Sequence, residues 1–111
     1  MATATSPTAC VDHQVQELND LFVEFGRVRE ERKKLAYKLK GGFSEDNLRR
    51  LQAERDDSFS RAAADQSNPT SRQFAEKKAE FLEFSAARKE LMDRDAELSH
   101  LEASIRQKLL S

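Results

Sequence analysis

The sequence predicts an all-α fold, drawn as an elongated three-helix bundle or as coiled-coil-like antiparallel helical hairpins. Three observations carry that expectation. The first is composition. Of 111 residues, 35% are charged and 38% hydrophobic, and 14 Ala and 12 Leu stand against 4 Val and 1 Ile. β-Sheets draw on β-branched side chains, and long helices on Ala, Leu, Glu, Lys and Arg. The second is spacing, because apolar residues return at steps of three and four along most of the chain. The third is punctuation: Gly41-Gly42 and the stretch Gln66-Ser67-Asn68-Pro69-Thr70-Ser71 interrupt that spacing, and they divide the chain in three.

Residues 1–10 read as a disordered tail and 11–111 as one helical domain. The tail lacks the basic and apolar blocks of a secretory signal. The first helix is expected over residues 11–40, on the seam Val11, Val15, Leu18, Phe22, Phe25, Val28, Leu35 and Leu39. This is a period near 3.5. Gly41-Gly42 ends it, on the expectation that a glycine there takes the left-handed C-cap conformation. A turn so short predicts that the second helix folds back antiparallel.

Ser44 is a good N-cap for that second helix, over 44–66, and Glu45 and Asp46 suit its first turn. Its seam is Leu48, Leu51, Phe59 and Ala62. Pro69 disfavours helix at Asn68, so the third helix is expected over 70–110. Its seam is Phe74, Phe81, Phe84, Leu91, Leu98, Leu101, Ile105 and Leu109. At 1.5 Å per residue this helix spans ~60 Å against ~45 Å for the first. Its last turns should therefore be left uncovered by the rest of the chain. An open apolar stripe of that kind marks an interface. Leu91, Leu98, Leu101, Ile105 and Leu109 are the interface candidates.

Charge is unevenly placed. Residues 1–26 hold four acids and no Lys or Arg, and residues 27–40 hold seven bases and two acids. The whole chain carries −1, so no global field draws it to nucleic acid or membrane. The basic run complements the dipole at the end of the first helix. It also supplies the alternative reading, a nucleic-acid contact through Arg27, Arg29, Lys33, Lys34, Lys38 and Lys40, with Tyr37 as a stacking group. Four charges fall on the seams: Arg32, Arg55, Arg88 and Asp95. Each must snorkel, pair across helices or break the seam, and a register-setting role is expected.

The sequence offers little chemistry. Cys10 is the only cysteine, so no internal disulfide forms. There is no Gly-rich phosphate loop. Glu97-Leu-Ser-His100 has the Glu-x-x-His spacing of di-iron carboxylate helices, but that site needs a second copy of the motif. The reading is of no enzyme, no cofactor, no metal, no small-molecule substrate and no membrane. A non-enzymatic cytoplasmic adaptor, scaffold or assembly subunit is expected, as a homodimer or within a hetero-complex.

The stretch Leu21-Phe22-Val23-Glu24-Phe25-Gly26-Arg27-Val28 is followed by a charged helix, by Gly41-Gly42-Phe43-Ser44, and by a helix with Leu48 and Leu51. Asn68-Pro69 and Phe74-Ala75-Glu76-Lys77-Lys78-Ala79-Glu80-Phe81 come next. Over roughly these sixty residues the chain resembles the YlbF/YmcA group of small helical bacterial proteins. The resemblance implies an all-helical, oligomeric, cytoplasmic adaptor tied to developmental regulation and RNA processing, with no catalytic residues.

Overall fold

The computed structural model describes the backbone of residues 7–111 and the side chains from Val11 onward. The chain is all-α: α1 (Pro7–Lys40), α2 (Glu45–Asp65) and α3 (Asn68–Leu110). Of the expected tail, residues 1–6 lie outside the described residues, and Pro7–Cys10 belong to α1. A proline is tolerated there because the first turn of a helix has no partner for its N–H.

The chain divides into two compact units. One is Lys34–Asp95; the other joins the residues up to Lys33 with Ala96–Ser111.

In the unit Lys34–Asp95, α2 pairs with the first part of α3. Ser44 caps α2 as expected: its backbone is extended, and its Oγ accepts from the Asn47 N–H at 3.2 Å. Glu45 and Asp46 occupy the first turn. Along the pair, residues later in α3 meet residues earlier in α2. The Phe59 and Phe74 rings meet edge-on at 5.5 Å, and the Arg55 guanidinium lies 4.4 Å from the Phe81 centroid. Beyond the start of α2, Phe43 stacks on Phe84 at 5.4 Å. The pairing is antiparallel, and its core residue on α2 is Leu51. The reversal at Gln66–Ser67 sets α2 against α3.

The two turns also exchange chemistry. Neither Gly41 nor Gly42 takes a positive φ; the left-handed cap is Gln66, at φ 56°, whose N–H returns to the Ala62 carbonyl at 2.8 Å. At Gly41-Gly42 backbone N–H groups reach the helix-end carbonyls without a left-handed residue, and a side chain satisfies the turn. Asn47 Nδ2 donates to the carbonyls of Gly41 at 3.3 Å and Gly42 at 3.2 Å, and the Phe43 N–H reaches the Lys38 carbonyl at 2.9 Å. α3 begins two residues before the expected Thr70. Pro69 sits in its first turn, where no donor is needed. Thr70 Oγ1 donates back to the Ser67 carbonyl at 2.9 Å.

Three of the four seam charges have cross-helix roles that the structure defines. Arg55 covers Phe81 as described. Arg88 Nε donates to the Phe43 carbonyl at 3.1 Å, and Arg32 and Glu102, both of the second unit, pair there. Beside them, Lys77 Nζ lies 3.4 Å from Glu54 Oε2. Partial burial pulls the Glu54 carboxyl upward, but the Lys77 ammonium and then the Arg50 guanidinium outweigh it and hold it below its ordinary range. The hydrogen bond and charge of Glu54, helped by Glu80, raise Lys77.

Candidate interaction surface

The second unit is built from α1 up to Lys33 and the last turns of α3. Its core is Val28, Leu98 and Ile105, with Leu98 and Ile105 only 2% and 1% exposed. Glu102 locks the pairing. Its Oε2 accepts from Arg32 Nη1 at 2.5 Å, and its Oε1 lies 3.6 Å from Arg29 Nε. The Glu102 and Arg32 side chains are largely shielded, so their bond is a charge-assisted contact of the stronger kind.

This core corrects the expected interface. Leu98 and Ile105, expected in an open stripe at the end of the longest helix, are buried by their own chain. Leu91 and Leu109 are half-buried, which leaves Leu101 as the one exposed member of the five candidates. Helix length alone does not decide cover, because the segment of α1 around Val28 and Arg32 reaches these turns.

The open apolar face lies on α1. Val11, Val15, Leu18 and Phe22 are 52%, 46%, 39% and 57% exposed. They follow one another at steps of four, three and four, which keeps them within a narrow strip of helix surface. Val28 and Leu35, which the sequence places on the same seam, are buried. The divergence has a simple cause. A residue advances ~100° around an α-helix, so a step of four moves the stripe ~40° one way and a step of three ~60° the other. Phe22 to Phe25 to Val28 is two threes in succession. Together they swing the stripe by ~120°, about a third of a turn. Phe25 sits at the changeover and is half-buried. α1 therefore has two apolar faces, one closed by α3 and one open.

The open strip is flanked by Gln14, Asn19 and Asp12, with Glu17, Asp20 and Glu24 further round the helix. Toward Lys33 the same strip passes Gly26 and then carries Arg29 and Lys33. A methyl group added at Gly26 would meet nothing within 4 Å. Arg29, besides its contact with Glu102, lies 5.6 Å over the Phe25 ring.

Of the nucleic-acid candidates, Arg27, Arg29, Lys33, Lys34, Lys38 and Lys40 are all exposed. Tyr37 is 82% exposed. Among the described residues, no group of three His, Cys, Asp or Glu side chains could hold a metal ion. No helix among them is long and apolar enough to cross a membrane. One open groove, near 410 Å³, has a lining mixed in charge that includes Glu54, Asp57, Arg61, Glu76 and Lys77. No protein-family model, curated protein or solved structure matches the chain.

Proposed function

We propose that the chain is a non-enzymatic helical interaction protein, a cytoplasmic adaptor, scaffold or assembly subunit. Its docking surface is the open face of α1 formed by Val11, Val15, Leu18 and Phe22. One observation carries the reading: four large apolar side chains lie open on one strip of a helix whose other apolar face is closed by α3. Such a strip is costly to leave in water, at roughly 25 cal/mol per Å², and contiguous apolar surface is characteristic of binding sites. The pattern that resembles the YlbF/YmcA group agrees with an adaptor of this kind.

The test compares the wild-type chain with the Val15→Glu/Phe22→Glu double variant, both immobilised and exposed to native-host extract. Both positions are exposed, so the variant should keep its helical circular dichroism. Proteins retained by the wild type and lost from the variant are the expected result. Identical retention by both contradicts the reading.

A second reading, nucleic-acid contact, has one observation of its own, the exposed Tyr37 with Lys34, Lys38 and Lys40 on the same helical segment. It predicts binding to a single-stranded oligonucleotide at ~50 mM salt that falls steeply as salt rises, through counterion release. No binding at that salt removes it.

A further inference from the structure

We infer that the occupant of the open α1 face is a second copy of the same face, laid antiparallel across a two-fold axis that passes at Phe22. The inference rests on the reading of that face as a docking surface. It names the partner and the register.

The argument begins with charge. Residues 11–21 carry three acids and no Lys or Arg, and residues 23–33 carry four bases and three acids. An antiparallel pairing centred on Phe22 sets the first segment of one copy along the second segment of the other, −3 beside +1. A parallel pairing would set −3 beside −3. Only the antiparallel arrangement brings unlike charge together on both halves of the contact, and a two-fold axis repeats each favourable pair.

The side chains then fall into layers. With Phe22 on the axis, the two Phe22 rings meet each other. Leu18 of each copy faces Gly26 of the other, where the surface is open and a missing side chain leaves room for a large one. Val15 faces Arg29, whose aliphatic stem offers apolar cover while its guanidinium stays in water. At each end Val11 faces Lys33, and Asp12, on the flank of the strip next to Val11, comes within reach of the Lys33 ammonium. No acid of residues 11–24 has to enter the seam, because Glu17, Asp20 and Glu24 lie on the far side of the helix.

The contact also leaves the existing core untouched. The strip of Val11 to Phe22 is turned about a third of a turn from the face that holds Val28, so a second α1 and the α3 of the same chain fit on different sides of one helix. Four apolar side chains per copy make a modest interface, so association is expected in the micromolar range rather than the nanomolar.

The experiment is sedimentation equilibrium on the full chain over a concentration series. The wild type is expected to be a reversible dimer that weakens as salt rises from 50 to ~500 mM, since unlike charges face each other. Phe22→Glu should be a folded monomer. Asp12→Lys and Lys33→Asp should each weaken the dimer about tenfold, because a two-fold breaks the pair twice, and the double variant Asp12→Lys/Lys33→Asp should recover most of that loss. In a Cys10→Ser background, Phe22→Cys should oxidise to a cross-linked dimer and Val11→Cys should not, as only the residue at the axis meets its own copy.

A wild type that stays monomeric throughout overturns the inference. If stripe-dependent capture from extract nonetheless succeeds, the docking reading stands and the occupant is a different helix. A dimer that Val11→Cys cross-links, or that salt strengthens, overturns the antiparallel register. A dimer insensitive to Phe22→Glu overturns both the inference and the assignment of this face.

Discussion

The first turns of α1 and the last turns of α3 look alike as sequence. Both carry Val, Leu, Ile or Phe at steps of three and four, and both belong to one compact unit. Yet Leu98 and Ile105 are sealed, while Val11, Val15, Leu18 and Phe22 stand in water. Periodicity reports that a helix has an apolar face, but not which helix covers it. Cover depends on the phase of the stripe around the helix, and two successive steps of three are enough to turn one seam into two.

The largest effects should come from the closed region. Leu98→Ala removes a side chain from a sealed core and should cost about 2–5 kcal/mol; Leu18→Ala, at an exposed position, should stay within about 0.5 kcal/mol. Urea denaturation of the two variants against wild type measures the contrast, and equal losses would erase it. The double change Leu98→Glu with Ile105→Glu should unfold the chain, because it buries two carboxylates in the core.

Next in size is the lock between the two helices of that unit. Glu102→Ala removes the acceptor of Arg32 Nη1 and the charge beside Arg29, with an expected loss of about 1–2 kcal/mol. Glu102→Gln should recover part of it by keeping a carbonyl acceptor. A loss below about 0.3 kcal/mol would show that this pair behaves as an ordinary surface contact.

Smaller shifts should come from the glycines. Gly26→Ala and Gly42→Ala meet no neighbouring atom, and neither position has a positive φ. Alanine there should raise stability by about 0.5–1 kcal/mol by restricting the unfolded chain and, at Gly26, by its helix propensity. Gly41→Ala should not share the gain, since its Cβ would sit 3.1 Å from the Tyr37 carbonyl oxygen. For Gly26→Ala the two-fold contact adds a second expectation: a more stable chain that dimerises less well, because Leu18 of the partner copy loses its space.

The smallest effect is the pH dependence of Glu54 and Lys77. The folded state depresses the Glu54 carboxyl, so its contribution is present above the unfolded value, ~4.3, and fades as pH falls through the folded value. The folded state raises Lys77, so its contribution is full below the unfolded value, ~10.4, and is lost as pH rises through the folded one. Both side chains are more than a third exposed, so solvent screening keeps the magnitude slight. Stability of wild type and Glu54→Gln, measured from pH 3 to 7, should converge at the acid end. A gap that widens there would reverse the assignment.

Much of the fold was legible because it is written in local chemistry. Ser44 caps α2 through its own hydroxyl, and the break around Gln66–Pro69 needs only residues that resist helix. Arg32, Arg55 and Arg88 sit on apolar seams, so a need for cover or partners was legible, but the partners themselves, Glu102, the Phe81 ring and the Phe43 carbonyl, were not. The cap at Gly41-Gly42 was not legible, because Asn47 satisfies those carbonyls from the following helix. The open face of α1 was hidden for a related reason. Val11 to Leu39 can be drawn as one seam of mean period 3.5, and the average hides the two successive steps of three that divide it between the exposed Phe22 and the buried Val28.

The central claim is that the open apolar face of this protein is on α1 and that the end of α3 is core. Residue-level hydroxyl-radical footprinting of the wild-type chain over a concentration series tests it most directly. The account predicts that Leu98 and Ile105 stay inert at every concentration, while Leu18 and Phe22 react in dilute solution and become protected as the chain associates. Leu98 and Ile105 reacting in dilute solution and gaining protection with concentration, with Phe22 unchanged, would contradict it and return the interface to α3.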